Sequence, residues 1–223
     1  MIPVFIILFI AIFLFIATTI FSRLYYKKIN KKSYSFLNCF PYELNLNDEG
    51  KYNVGLNILF VLSLLFLLGF FVILDMYLTY DKLTIAFIAF VVFIGLFGFS
   101  FNLFYGMRNV KTHLLFSSLL FISTLVVLVG IAYFGIYHLF DKNTPEYDIK
   151  KIVVGFVSFA IFIFYLALIL SKRLRDWAEM EEVHNEDGTI NYVRPKVFPL
   201  ALYEWLFRVG EFISSILVLV AYI

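Results

Sequence analysis

Long apolar runs separated by short polar joints make up most of this chain. Six runs reach or approach the length of about 20 residues that crosses a bilayer's hydrocarbon core. They cover residues 2–21, 54–74, 83–105, 113–137, 152–170 and 197–223. Within lipid the backbone must satisfy its own hydrogen bonds, and runs this long and continuous do so as helices, not as barrel strands. The pattern predicts an all-α, polytopic membrane protein: a bundle of six transmembrane helices forming a single domain over residues 1–223. The first run has no charge ahead of it and a basic cluster behind it. That order is the reverse of a signal peptide, so it reads as a permanent helix.

Two joints are long. The first, residues 22–53, opens with Arg23, Lys27, Lys28, Lys31 and Lys32 and carries turn formers at Pro41 and Asp48-Glu49-Gly50. The fifth, residues 171–196, opens with KRLRDWAEMEE, which reads as a charged continuation of helix five. Asp187-Gly188 then marks a tight turn, with a small hairpin between Val183-His184 and Asn191-Tyr192. Joints one, three and five carry thirteen Lys and Arg residues, joints two and four carry four. Positive charge concentrates on the cytoplasmic or matrix side, so the count predicts joint one inside and both termini outside.

Composition narrows the class. The chain is 62% apolar and 15% charged with a mean hydropathy of +0.91, which excludes a water-soluble globule. A net charge of +2 gives no polyanion signal, so no nucleic-acid partner is expected. The 29 Phe, the 15 Tyr and the absence of Gln fit AT-rich coding more than a functional demand. A lone Cys39 excludes an intrachain disulfide and a Cys-based metal cluster. His113, His138 and His184 lie far apart, and no Walker, Rossmann or nucleophile-elbow pattern occurs. No catalytic centre of the soluble type, no metal and no cofactor is expected. A non-enzymatic protein is the first reading, with acid/base chemistry on a lipid left open.

Charges inside spans are functional candidates by default. The sixth span reads LYEWLFRVGEF, with Glu204, Arg208 and Glu211 at spacings of four and three that share one helical face. The two acids can flank the guanidinium, as an ion-paired stripe locking the helix or as a polar cavity for a lipid headgroup, ion or proton. At 1.5 Å per residue Glu204 lies about 28 Å and Glu211 about 18 Å from residue 223. His113 at the start of span four reads as an interfacial anchor, with titration near neutrality or phosphate contact as the alternative. Asn102, Asn109, Gly95, Gly98 and Gly106 give span three a small and polar face of the kind that packs closely. Tyr25, Tyr26, Tyr77, Trp177 and Trp205 read as interfacial belts.

Several of these pieces occur in an order that resembles the six-helix family of the DRAM autophagy modulators and the FGF-receptor-activating-protein/GPI-anchor-remodelling group. The resemblance rests on Phe40-Pro41-Tyr42 before span two, Gly95 and Gly98 in span three, His113 followed by Phe121, and Glu204-Trp205 entering span six. It covers roughly residues 36–223. Where the family continues Ile-Ser-Asp after its Phe-Pro-Tyr, this chain has Glu-Leu-Asn, and Ser117-Ser118 replace small residues. The family's arrangement also implies joint one on the luminal or extracellular side, opposite to the charge count. The resemblance implies a protein of endomembranes or plasma membrane connected with lipid organisation or remodelling.

Three functions compete. The first is a polar face of Glu43, His113, Glu204, Arg208 and Glu211 that handles a lipid headgroup. The second is an integral structural subunit of a larger, respiratory or organellar, membrane complex. The third is a small-solute or ion transporter with Glu211 as the deep ligand. The expected partners are membrane lipids, with other membrane subunits under the second reading. The expected location is an integral, multi-pass position in a membrane that the sequence does not specify.

Overall fold

A computed structural model describes residues 2–47, 50–78, 82–137, 149–184 and 189–222. The turn residues Asp48, Glu49, Asp187 and Gly188, and His138, lie outside the described residues. The apolar runs are helical: α1 (Ile2–Asn30), α2 (Val54–Tyr77), α3 (Lys82–Tyr105), α4 (Val110–Tyr137), α5 (Ile149–Ile169) and α7 (Pro199–Tyr222). All six are long and apolar enough to span a bilayer, so this is a multispanning integral membrane protein.

Helix ends follow local chemistry. α1 runs nine residues beyond its apolar stretch and stops where Lys31 turns left-handed at φ 52°. Lys27 and Lys28 in its last turn complement the carbonyl end of the helix dipole. Asn53 caps α2 by accepting from the Leu56 N–H at 3.2 Å, and Asn109 Oδ1 accepts from Lys111 and Thr112 N–H at 3.0 and 3.3 Å to start α4. KRLRDWAEMEE does not continue helix five. α5 ends at Ile169, Ser171 adopts extended ψ, and its hydroxyl accepts from the Leu174 N–H to begin a separate one-turn helix, α6 (Lys172–Arg175). The predicted hairpin is present: β1 (Glu181–His184) pairs antiparallel with β2 (Ile190–Val193), in the register Glu182 to Tyr192.

The least apolar span turns its polar face into the bundle. Each of the other five touches α7: Phe15 of α1 packs on Phe212 (ring centroids 4.8 Å), Phe60 of α2 on Trp205 (6.5 Å), and Phe121 of α4 on Phe207 (4.4 Å). Phe99 of α3 lies under Arg208, and Tyr165 of α5 donates to Leu206 O at 2.8 Å. α7 keeps an outward stripe at Val209, Ile216 and Val220, and turns Glu204, Arg208 and Glu211 to the inward face, away from lipid. α3 and α4 pack backbone to backbone at Gly98, where a Cβ would stand 2.5 Å from Phe116 O.

Joint one closes this bundle at one end. Its short 3-10 helix, Pro41–Asn45, packs against α1, α2, α3 and α7. A buried amide chain ties it down, Asn45 donating to Asn57 Oδ1 at 2.8 Å and Asn57 to Leu103 O at 3.0 Å. Tyr34 Oη lies 2.7 Å from Phe40 O and 2.9 Å from Cys39 O, and accepts from Trp205 Nε1 at 2.9 Å. Trp205 and Tyr26 are therefore buried cap residues, not members of an interfacial belt. The Trp205 indole N–H is satisfied inside the protein, and the Tyr26 ring packs edge-on against Tyr34 at 5.3 Å, so neither needs the wet interface.

Candidate functional site: a polar ladder beside an apolar crevice

The polar residues singled out in the sequence fall on three levels, descending from joint one toward the middle of the membrane. On the first, Glu43 receives Arg194 Nη1 at 2.8 Å and accepts from the Phe40 N–H at 2.7 Å. The Arg194 guanidinium also lies 5.3 Å from the ring centres of Phe40 and Phe198. Burial opposes its charge, but the hydrogen bond and charge of Glu43 outweigh that and hold its pKa above the usual value. Burial, with the Glu43 charge added, raises the Tyr42 phenol.

On the second level His113, Ser117, Asn102 and Glu204 meet. Ser117 donates to Glu204 Oε1 at 2.5 Å and receives Asn102 Nδ2 at 2.9 Å. His113 Nε2 lies 2.8 Å from the same Oε1, an ion-pair distance, although its N–H is not directed at that oxygen. Its Nδ1 is 3.2 Å from Gly106 O. A carbonyl only accepts, so this contact is a hydrogen bond in the tautomer that has its hydrogen on Nδ1. Phe40 and Tyr42 set their rings edge-on to the imidazole, with centroids 5.1 and 5.8 Å away. His113 is 0% exposed, and so is a buried residue and not an interfacial anchor. Gly106, at φ 57°, ends α3 in a conformation that also leaves room for the Tyr42 and Tyr52 rings.

The third level is the Arg208–Glu211 ion pair, with Ser123 donating to Glu211 Oε1 at 3.1 Å. Arg208 is 0% and Glu211 1% exposed. Among the described residues, Nε and Nη2 of Arg208 have no hydrogen-bond partner. The guanidinium lies between rings instead, with Phe212, Phe99 and Phe15 centroids at 4.7, 5.2 and 5.6 Å. A Cβ on Gly95 would collide with Ser123 Oγ and Glu211 Oε1, so that glycine makes the space the carboxylate occupies.

The expectation that both acids flank Arg208 is corrected here. Glu211 takes the guanidinium and Glu204 turns one helix over, to Ser117 and His113. The reason is register. α4 and α7 both start at the joint-one face and run parallel, so Ser117 meets Glu204 and Ser123 meets Glu211 at nearly constant offsets of 87 and 88 residues. Phe40, Tyr42, His113 and Glu204 come together, Pro41 opens the 3-10 helix beneath them, and Trp205 bonds to joint one. Phe121 lies further down, its ring tilted against Phe207. Glu43 is separated from the deeper acids by the Phe40 and Tyr42 rings. Tyr34, Arg194 and Ser123 were not anticipated. The matched spacing of Ser117 to Ser123 and Glu204 to Glu211 on two like-directed spans is the signal that finds Ser123; Tyr34 and Arg194 sit in irregular joints with no periodicity to find them.

A scan of protein-family models, a search of curated proteins and a search of solved structures each return no match for this chain. What the site can do has to come from its own geometry. Among the described residues no three His, Cys, Asp or Glu side chains gather as a metal site would require. Beside the second level, however, an apolar crevice of about 270 Å³ opens between α4, α6 and α7. Leu114, Phe121, Ile122, Ile169, Leu174, Trp177 and Leu200 line it, with Ser117 and Ser118 as its polar spots. On the other side of α6 lies a wider groove of about 610 Å³, lined by Lys172, Arg173, Lys196, Asp176, Glu179 and Glu181.

Proposed function

We propose that this membrane protein handles an amphipathic lipid, with the acyl chain in the crevice beside α4 and the headgroup in the charged groove across α6. One observation carries the reading: a single helical turn separates the two spaces. Leu174 and Trp177 face the crevice, while Lys172, Arg173 and Asp176 face the groove. An apolar slot adjoining a mixed-charge groove at one bilayer face complements a phospholipid, whose phosphate suits the cations and whose amine, where it has one, suits the carboxylates. The buried ladder then serves as the rigid wall of the crevice. Glu204 fixes Ser117, and Arg208–Glu211 fixes α7 against α3 and α4. The resemblance to the DRAM-like family supports the same reading, since Phe40, Tyr42, His113 and Glu204 converge beside this crevice. The transport alternative has less support, because Glu211 is engaged by Arg208 and Ser123.

The test is lipid retention. Purified in mild detergent, the wild-type chain should carry phospholipid that survives washing, measured by extraction and mass spectrometry. Ser118→Trp fills the crevice from a position whose own hydroxyl bonds only within its helix, to Leu114 O at 2.8 Å. It should lower retained lipid several-fold at unchanged thermal stability. Arg173→Gln should weaken retention of anionic species most. Full retention in both variants would remove the proposal.

A further inference from the structure

A second crevice, on a different part of the joint-one face, has the chemistry of a phosphate site. It measures about 250 Å³ and lies between the end of α1 and the start of joint one, lined by Ile20, Arg23, Leu24, Lys27, Ser33 and Tyr34. At 100° per residue, Ile20, Arg23, Leu24 and Lys27 occupy one arc of α1 roughly 100° wide. Ile20 and Leu24 belong to its bilayer-facing part, and Arg23 and Lys27 stand on the adjoining edge, four residues apart. The extension of α1 past its apolar run creates this arc and carries the two cations just beyond the hydrocarbon. Phe36 holds Arg23, whose guanidinium carbon lies 5.0 Å from the ring centre. Ser33 adds a hydroxyl on the opposite wall, and among the described residues no carboxylate lines the crevice. Lys28, Lys31 and Lys32 follow directly, and residues 22–42 contain no acid.

We propose that this crevice is an anionic-phospholipid site: the phosphate lies between Arg23 and Lys27 with Ser33 as a third donor, and the first acyl segments run along Ile20 and Leu24. An Arg–Lys pair suits a phosphodiester, and the apolar floor suits a lipid more than a free anion. The positive excess on this face, which the charge count assigns to the cytoplasmic or matrix side, is where basic segments meet anionic lipid. The site stands apart from the α6 groove and does not depend on the reading given above for that groove.

The full-length chain in neutral detergent, titrated with pyrene-labelled phosphatidylglycerol and phosphatidylcholine, tests it. Wild type should prefer the anionic lipid by about ten-fold, a preference that falls with salt. Arg23→Gln with Lys27→Gln should remove most of that preference, whereas Arg23→Lys with Lys27→Arg should keep it. Lys82→Gln with Lys150→Gln, on the opposite face, should also keep it. Equal affinity for both lipids in wild type, or an unchanged preference in the double Gln variant, would overturn the site. Competition by inorganic phosphate at affinity equal to the lipid would likewise overturn it, marking a free-anion site. Repeated in the Ser118→Trp, Arg173→Gln background, which removes any contribution from the α4–α6 site, the preference and its loss in the double Gln variant should both persist, so the two proposals fail separately.

Discussion

At the scale of single residues, the Arg208–Glu211 pair dominates the energetics. Both partners are out of water, so removing one leaves the other charged and alone. Arg208→Met or Glu211→Gln alone should destabilise the chain by about 3–5 kcal/mol, while Arg208→Met with Glu211→Leu should recover most of that loss. Thermal unfolding in detergent reads both, and equal losses in single and double variants would contradict the pairing. Gly95→Ala should destabilise for a steric reason, since its methyl would take the place of Glu211 Oε1 and Ser123 Oγ. Gly130→Ala is the control. Open space surrounds that position, so the change should stabilise α4 by about 0.5–1 kcal/mol. The Cys39 thiol offers a pH readout. Burial raises its pKa, and the Glu43 charge adds to the rise. The thiolate is the nucleophile, so maleimide labelling at pH 7 should be slower than for a free thiol and should keep rising with pH beyond about 9. A profile matching a free thiol would show joint one to be more open than described.

At the scale of elements, joint one acts as a cap pinned through Tyr34. One phenol hydroxyl reaches the Cys39 and Phe40 carbonyls and receives the Trp205 indole. Tyr34→Phe strands these buried groups at a cost of about 1–3 kcal/mol. The same substitution should speed Cys39 labelling, because the cap loosens where the thiol sits. Faster unfolding with unchanged labelling would mean that the cap does not open locally. The helices themselves were legible in the sequence because a membrane span is written in unbroken apolar length, and apart from the nine-residue extension of α1 the runs fell within about three residues of the observed spans. The ends were less legible. α1 continues past its apolar run because Tyr26 and Asn30 find partners in the folded joint, which no local pattern reveals. Helix five stops early because Ser171 caps a new turn, so a charge-rich segment that looks continuous is two elements.

At the scale of the whole molecule, one decision organises the rest: the charged face of α7 points inward. The sequence showed that Glu204, Arg208 and Glu211 share a helical face and that joint one, span four and span six begin on the same side. It did not show that α7 touches all five other spans, because that depends on packing angles and not on periodicity. The division of the polar residues into three levels was hidden for the same reason, since the constant offset between α4 and α7 exists only once the helices are parallel neighbours. The crevice beside α4 and the groove across α6 likewise depend on how α6 breaks away from α5.

The central claim is that a lipid chain occupies the α4–α6–α7 crevice. The measurement is photo-crosslinking in native membranes with a phospholipid carrying a diazirine in its acyl chain, the modified residues being mapped by mass spectrometry. The account predicts adducts concentrated at Leu114, Phe121, Ile122 and Leu174, and reduced there by Ser118→Trp. Adducts spread evenly over the lipid-facing side chains of α1, α3 and α5, such as Phe9, Phe90 and Phe164, would contradict it.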